Sequence, residues 1–233
     1  MVEQVEEMAL VVDFTDKLRS YRTSLAFSYC FFIWSSIMMG LPLLHTALMF
    51  SPWFPVIKPH GLYLLLGTLV AGLVASLALM FYVLARFGLL SFPTPKAAAT
   101  SWSLSFSIPY GLVYSLLSAL GLWQLMPVAW CPAGGLAYLA IGLTAERWLV
   151  RERLLLARPF LLMGTLALFS SAPILYLASQ AEECTYSIGG VVVWSWLSGP
   201  LSAMILAAAT YLLLTLAVSL YTFIRAERAI FRP

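Results

Sequence analysis

The sequence predicts an all-α protein: a polytopic transmembrane helical bundle of six spans with both termini cytoplasmic. Three observations carry this. Of 233 residues, 62% are hydrophobic and only 10% are charged, whereas a soluble domain is nearer half apolar and a quarter charged. With a mean hydropathy of +0.92, that much apolar surface calls for lipid as the solvent of most of the chain. Apolar runs of about 20 residues, the length that crosses a bilayer as a helix, recur along the whole sequence. The basic residues between those runs alternate in a way that sets direction.

The runs cover 24–50, 61–85, 101–126, 133–150, 159–180 and 200–223. The fourth is the weakest, because its apolar stretch ends at Glu146-Arg147, where long side chains are expected to reach the headgroups. The last hydrophobic run begins at Gly189, too far back for one straight crossing, and Gly199-Pro200 divides it. Val191–Ser198, with two Trp residues suited to the membrane boundary, is therefore expected to be a separate half-helix or interfacial segment. Three regions follow: a cytoplasmic amphipathic segment at 1–23, the membrane domain at 24–224, and a short basic cytoplasmic tail at 225–233.

Lys17, Arg19 and Arg22 precede the first span, and Arg86 and Lys96 follow the second. Arg147, Arg151, Arg153 and Arg158 follow the fourth, and Arg225, Arg228 and Arg232 follow the sixth. Loops of the other parity hold Lys58 and the acidic pair Glu182-Glu183. Since Lys and Arg accumulate on the cytoplasmic side, the expected location is a cell membrane with both ends inside. The acidic start, "MVEQVEEMALVVDFTDKLRSYR", is the opposite of a basic signal-peptide region. Leu10, Phe14, Leu18 and Tyr21 give it one apolar stripe, and its acids suit a basic partner or the chain's own Arg151–Arg158 loop better than anionic lipid.

Two stretches, "WCPAGG" at 130–135 and "ECTYSIGG" at 183–190, repeat a Cys then Gly-Gly pattern at what this topology makes the outer surface. Disulfides persist on that side, so Cys131 and Cys184 are the expected disulfide pair, while Cys30 lies inside the first span. Together with "AERWLVRER" and "RAERAIFR", the pattern also hints at an internal repeat of the last two span pairs. Asn is absent and Gln occurs only at 4, 124 and 180; such depletion of thermolabile amides points to a thermophile.

Charge placement excludes several functions. Asp occurs only before the first span, and neither Glu nor Lys lies deep within a run, so a proton relay, sodium site or voltage sensor is not built in. No phosphate-binding glycine motif is present, and a net charge of +3 is too small to imply nucleic acid. His45, near the outer end of the first span, and His60, in the following loop, lack a carboxylate near in sequence; an interfacial histidine accounts for them better than a haem or metal site. "SFSIPYG" at 105–111 and "FSSAP" at 169–173 lack a base within reach, so a serine nucleophile is not indicated. Their prolines matter more. Pro42, Pro109 and Pro173 fall within the first, third and fifth spans beside small or polar residues, and such kinks either frame a cavity or serve packing. In the second span, Gly67, Ala71, Gly72, Ala75 and Ser76 offer small residues at four-residue spacing, a face for a partner or for a neighbouring helix.

The expected function is a non-catalytic membrane subunit of a larger, transport-related assembly, with no cofactor and with lipid and protein partners or further copies of itself around it. The alternatives are a free-standing channel or facilitator for a neutral or apolar solute, and a membrane enzyme or haem protein using His45.

Overall fold

The computed structural model describes residues 2–49, 58–89, 96–180, 182–188 and 191–231. Helix α1 (Val2–Trp34) runs through a π-helical turn at Ser35–Met39 into α2 (Gly40–Met49). A short 3-10 turn at Lys58–His60 precedes α3 (Gly61–Arg86), and α4 (Lys96–Ala119) leads by another at Trp123–Val128 into α5 (Trp130–Leu143). After α6 (Ala145–Arg151) and α7 (Pro159–Ser179), strands β1 (Glu183–Ile188) and β2 (Val191–Leu197) pair, and α8 (Ser198–Phe231) ends the described chain.

Among the described residues, four stretches are long and apolar enough to cross a membrane: Val11–Leu48, Tyr63–Arg86, Pro159–Ser179 and Ser198–Ile230. A helical bundle with four apolar crossing-length helices is therefore the architecture. The expected third run stops as a helix at Ala119. The expected fourth is broken at Thr144, leaving α5 with 14 residues, about 21 Å at 1.5 Å per residue and short of the hydrocarbon thickness. The N-terminal segment is no separate helix, since α1 is unbroken from Val2 into the first span.

Two expectations are corrected. The helical bundle carries one hairpin: Val191–Leu197 is a strand, not a half-helix, and pairs antiparallel with β1 from Glu183↔Leu197 to Ile188↔Val191. Its run of Val and Trp favours an extended, pleated backbone. Pro200 then sits in the first turn of α8, where its missing N–H costs nothing. Nor is the Cys131–Cys184 bridge formed, as all three cysteines are free. Cys131 is fully enclosed in the first turn of α5, and Cys184 is committed to the hairpin opposite Trp196. A hairpin joins α7 to α8 whereas a 3-10 turn joins α4 to α5, so the two Cys…Gly-Gly stretches lie in different local structures.

The helices pack in the order α3, α1, α8, α7, α5, α4. The α5–α7 seam is the tightest. A Cβ at Gly142 would lie 2.6 Å from the Leu161 nitrogen, and one at Gly164 would lie 2.7 Å from Leu139 Cα. Only glycine permits that backbone approach, the usual device where lipid supplies no hydrophobic drive between helices. Polar pairs hold the α1–α8 seam: Ser28 Oγ and Ser219 Oγ each donate to the other's carbonyl at 2.8 Å. Beyond the seams, apolar side chains such as Tyr63, Val70, Val74 and Phe81 on α3 and Leu112 and Leu116 on α4 face outward, a surface suited to lipid.

Candidate functional site

A proline inside a helix has no N–H to give, and its ring collides with the carbonyl four residues back. For Pro42 that carbonyl belongs to Met38, and the chain there widens into the π turn Ser35–Met39. Thr46 Oγ1 donates to the Pro42 carbonyl at 2.8 Å, the common bond of a helical threonine to the carbonyl four residues back. Turns of this kind are uncommon and are enriched at functional sites. This one opens onto a cavity of about 260 Å³.

Its walls come from four parts of the fold. Trp34, Met38, Met39 and Pro42 line the side formed by the end of α1, the π turn and α2. Phe106 and Tyr110 come from α4, and Trp130, Gly134 and Tyr138 from α5. Tyr211 and Thr215 of α8 complete it. Residues of α4 and of the α1–α2 end of the row thus line one opening. Aromatic contacts fix the walls: Phe106 meets Tyr138 edge-on at 5.9 Å between centroids, and Trp130 meets Tyr211 edge-on at 4.8 Å. Behind them, Phe160 packs on Phe31, Tyr138 and Trp102. Gly134 leaves one patch of wall bare, where a Cβ would meet Tyr110 Oη at 3.4 Å and Tyr211 Oη at 3.5 Å.

The polar content is narrow. No residue of the wall is an acid, a base or a histidine. Tyr211 donates its hydroxyl to the Cys131 carbonyl, and Thr215 donates to the Tyr211 carbonyl at 2.6 Å. A fixed ion here would have no countercharge in an apolar setting, which is costly. The cavity accordingly suits an uncharged molecule with an apolar body, in the usual pattern of a hydrophobic pocket with a few polar groups.

Of the prolines expected to frame a cavity, Pro42 lines it. Pro109 precedes the cavity residue Tyr110 on α4, and Pro173 lies on the outward face of α7. The small residues of α3 divide into two faces. Gly72 and Ser76 are buried, with Gly72 against Leu41 and Ile37, whereas Gly67, Ala71 and Ala75 are exposed. His45 bonds Thr68 Oγ1 at 2.7 Å, joining α2 to α3. Among the described residues no three His, Cys, Asp or Glu side chains gather as a metal site would need.

Glu146 is the one fully buried acid among the described residues. Its Oε1 accepts from the Phe160 nitrogen at 2.8 Å and its Oε2 from the Leu161 nitrogen at 3.0 Å. Helix α7 begins at Pro159, which has no N–H, and Leu162 N bonds the Arg158 carbonyl at 3.1 Å. The first turn of α7 is thus fully satisfied, with Glu146 as its remote cap. The cavity tyrosines and this cap were not singled out from the sequence; an isolated Glu closing an apolar run was the available signal for the cap. No family model, characterised protein or solved structure gives a match to this chain.

Proposed function

We propose that the chain is a six-crossing membrane protein with both termini cytoplasmic, serving as the non-catalytic, solute-binding subunit of a transport assembly. The observation that carries this is the cavity: lined by aromatic rings, free of ionisable groups other than tyrosine, and bordered by a π turn. Such a site holds a small uncharged molecule without supplying chemistry to it. With no acid or base in the wall, ion coupling has no foothold in the cavity, so energy would come from a partner.

The orientation is supported by contacts among the basic regions. Arg22 donates to the Phe87 carbonyl at 3.0 Å, Ser20 bonds the Arg153 carbonyl, and Leu156 N bonds Ser24 Oγ at 3.1 Å. These bonds join the N-terminal half of α1, the end of α3 and the basic loop at 152–158 at one end of the bundle, as a shared cytoplasmic face requires. The short α5 crosses in this reading together with α6, the two being joined at Thr144.

The test is direct. The tagged protein, extracted in mild detergent and placed in lipid nanodiscs, is titrated with 4-fluorotoluene and followed by fluorine NMR. Saturable binding above that of empty discs is expected, along with a stoichiometric partner in the first extraction step. Partition indistinguishable from empty discs would overturn the solute-binding reading. Carriage of a polar uncharged solute such as glycerol into liposomes by the chain alone would favour a free-standing facilitator.

A further inference from the structure

We infer that the molecule taken by the cavity is an uncharged ring compound carrying a carbonyl-type hydrogen-bond acceptor, received by the hydroxyls of Tyr110 and Tyr138. This rests on the solute-binding reading and narrows it. A buried phenol almost always finds a partner. Tyr211 and Thr215 do so by donating to backbone carbonyls. Tyr138 is only 9% exposed, yet its hydroxyl has no hydrogen-bond partner among the described residues, and neither has that of the half-buried Tyr110 on the neighbouring α4. Both line the opening. Among the described residues no acceptor of the wall is bonded to either hydroxyl: the carbonyls of Cys131 and Tyr211 receive Tyr211 and Thr215 instead.

The rest of the wall describes the body of the ligand. Trp34, Phe106 and Trp130 offer ring faces and edges, which pack best on another ring. Met38 and Met39, brought to the wall by the π turn, supply polarisable thioethers that favour aromatic neighbours. A charged ring compound is disfavoured for want of a countercharge. A ketone, quinone or aromatic amide fits; a carboxylate or an amine cation does not.

Two probes of nearly equal shape test this: 4-fluoroacetophenone, and 4-fluoro-α-methylstyrene, in which a CH₂ group replaces the carbonyl oxygen. Binding to the full chain in nanodiscs is read by fluorine NMR after correction for partition into lipid. The ketone is expected to bind about tenfold more tightly, the usual worth of satisfying a buried donor. In the double variant Tyr110→Phe/Tyr138→Phe that preference should fall to about onefold while the styrene keeps its affinity, which also shows that the variant is folded. Equal binding of both probes by the unaltered protein would overturn the acceptor assignment but leave the solute-binding reading standing; ordered water satisfying the two tyrosines would give that result. Saturation by neither probe would overturn both.

Discussion

Removing the Glu146 side chain tests the cap of α7 and measures how much a single buried acid holds the bundle together. Glu146→Ala leaves the Phe160 and Leu161 N–H groups, bonded at 2.8 and 3.0 Å, without acceptors in a fully buried place. Leaving a buried donor unsatisfied costs about 1–3 kcal/mol, so the loss of both acceptors comes to about 3–5 kcal/mol after partial relaxation. For a chain of this size each kcal/mol moves the melting midpoint by about 2–4 °C, so the midpoint should fall by about 6–20 °C. Cys30 and Cys131 are free and buried, so a thiol-reactive fluorescent maleimide reports unfolding, with the more accessible Cys184 as background. Glu146→Gln keeps one acceptor and turns an amide toward the other N–H, so it should lose about half as much. A midpoint within about 2 °C of the native value for Glu146→Ala would refute the reasoning, because it would mean that the first turn of α7 finds other partners at no cost.

Gly142→Ala and Gly164→Ala should each destabilise by about 1–3 kcal/mol in the same assay, since the new methyl would press on the backbone of Leu161 or Leu139; Gly67→Ala, which meets nothing within 4 Å, should not. Cysteines introduced as Gln4→Cys and Ile230→Cys should react with an impermeant maleimide only after permeabilisation, and reaction at either from outside intact cells would reverse the proposed orientation. His45→Ala, which removes one half-exposed bond to Thr68, should shift the melting midpoint by no more than about 1 kcal/mol equivalent and leave probe binding intact; loss of binding in folded protein would return the histidine to the site.

The helices were legible because lipid-crossing segments are local in sequence. The apolar runs at 61–85 and 159–180 match α3 and α7 almost to the residue, and Pro159 marks its helix start as a first-turn proline should. The hairpin was not read, although "VVVWSWL" is a short β-branched and aromatic run, because hydrophobicity alone does not separate a strand from half a crossing. The Cys…Gly-Gly likeness misled for a related reason. The glycines after Cys131 serve the α5 seam and the cavity wall, whereas Cys184 belongs to a strand. The cavity was legible only at Pro42. Its tyrosines lie at 110, 138 and 211 on three helices, and no local period joins them. The π turn is equally hidden: a proline announces a disturbed helix, but whether the turn widens, kinks or breaks depends on what packs against it.

The cavity itself follows from unequal packing. Helix α5 presents Gly135 and Gly142 to α7 and closes fully against it, while on its other side Gly134 faces the aromatic residues of α4 and α8. Large rings opposite a bare backbone leave space that neither side fills, and Gly134 is where that space can be closed by substitution. Gly134→Ala places its methyl at ordinary contact distance, 3.4 Å from Tyr110 Oη and 3.5 Å from Tyr211 Oη. It also gains about 1 kcal/mol of helix propensity, so the melting midpoint should rise by about 2–4 °C. Gly134→Val carries two further methyl groups into the opening. Each buried CH₂ contributes about 0.8 kcal/mol where there is room, which offsets the crowding of the tyrosines, so the variant should stay folded with a midpoint near or above the native one. Its binding of 4-fluorotoluene and 4-fluoroacetophenone should nevertheless be lost, and to the same extent, because the space is taken whatever polar group the probe bears. Native-strength binding in folded Gly134→Val would place the bound molecule elsewhere in the protein. Unfolding of Gly134→Ala would show that the wall is already in contact there, and that the opening between α4, α5 and α8 is no cavity in solution.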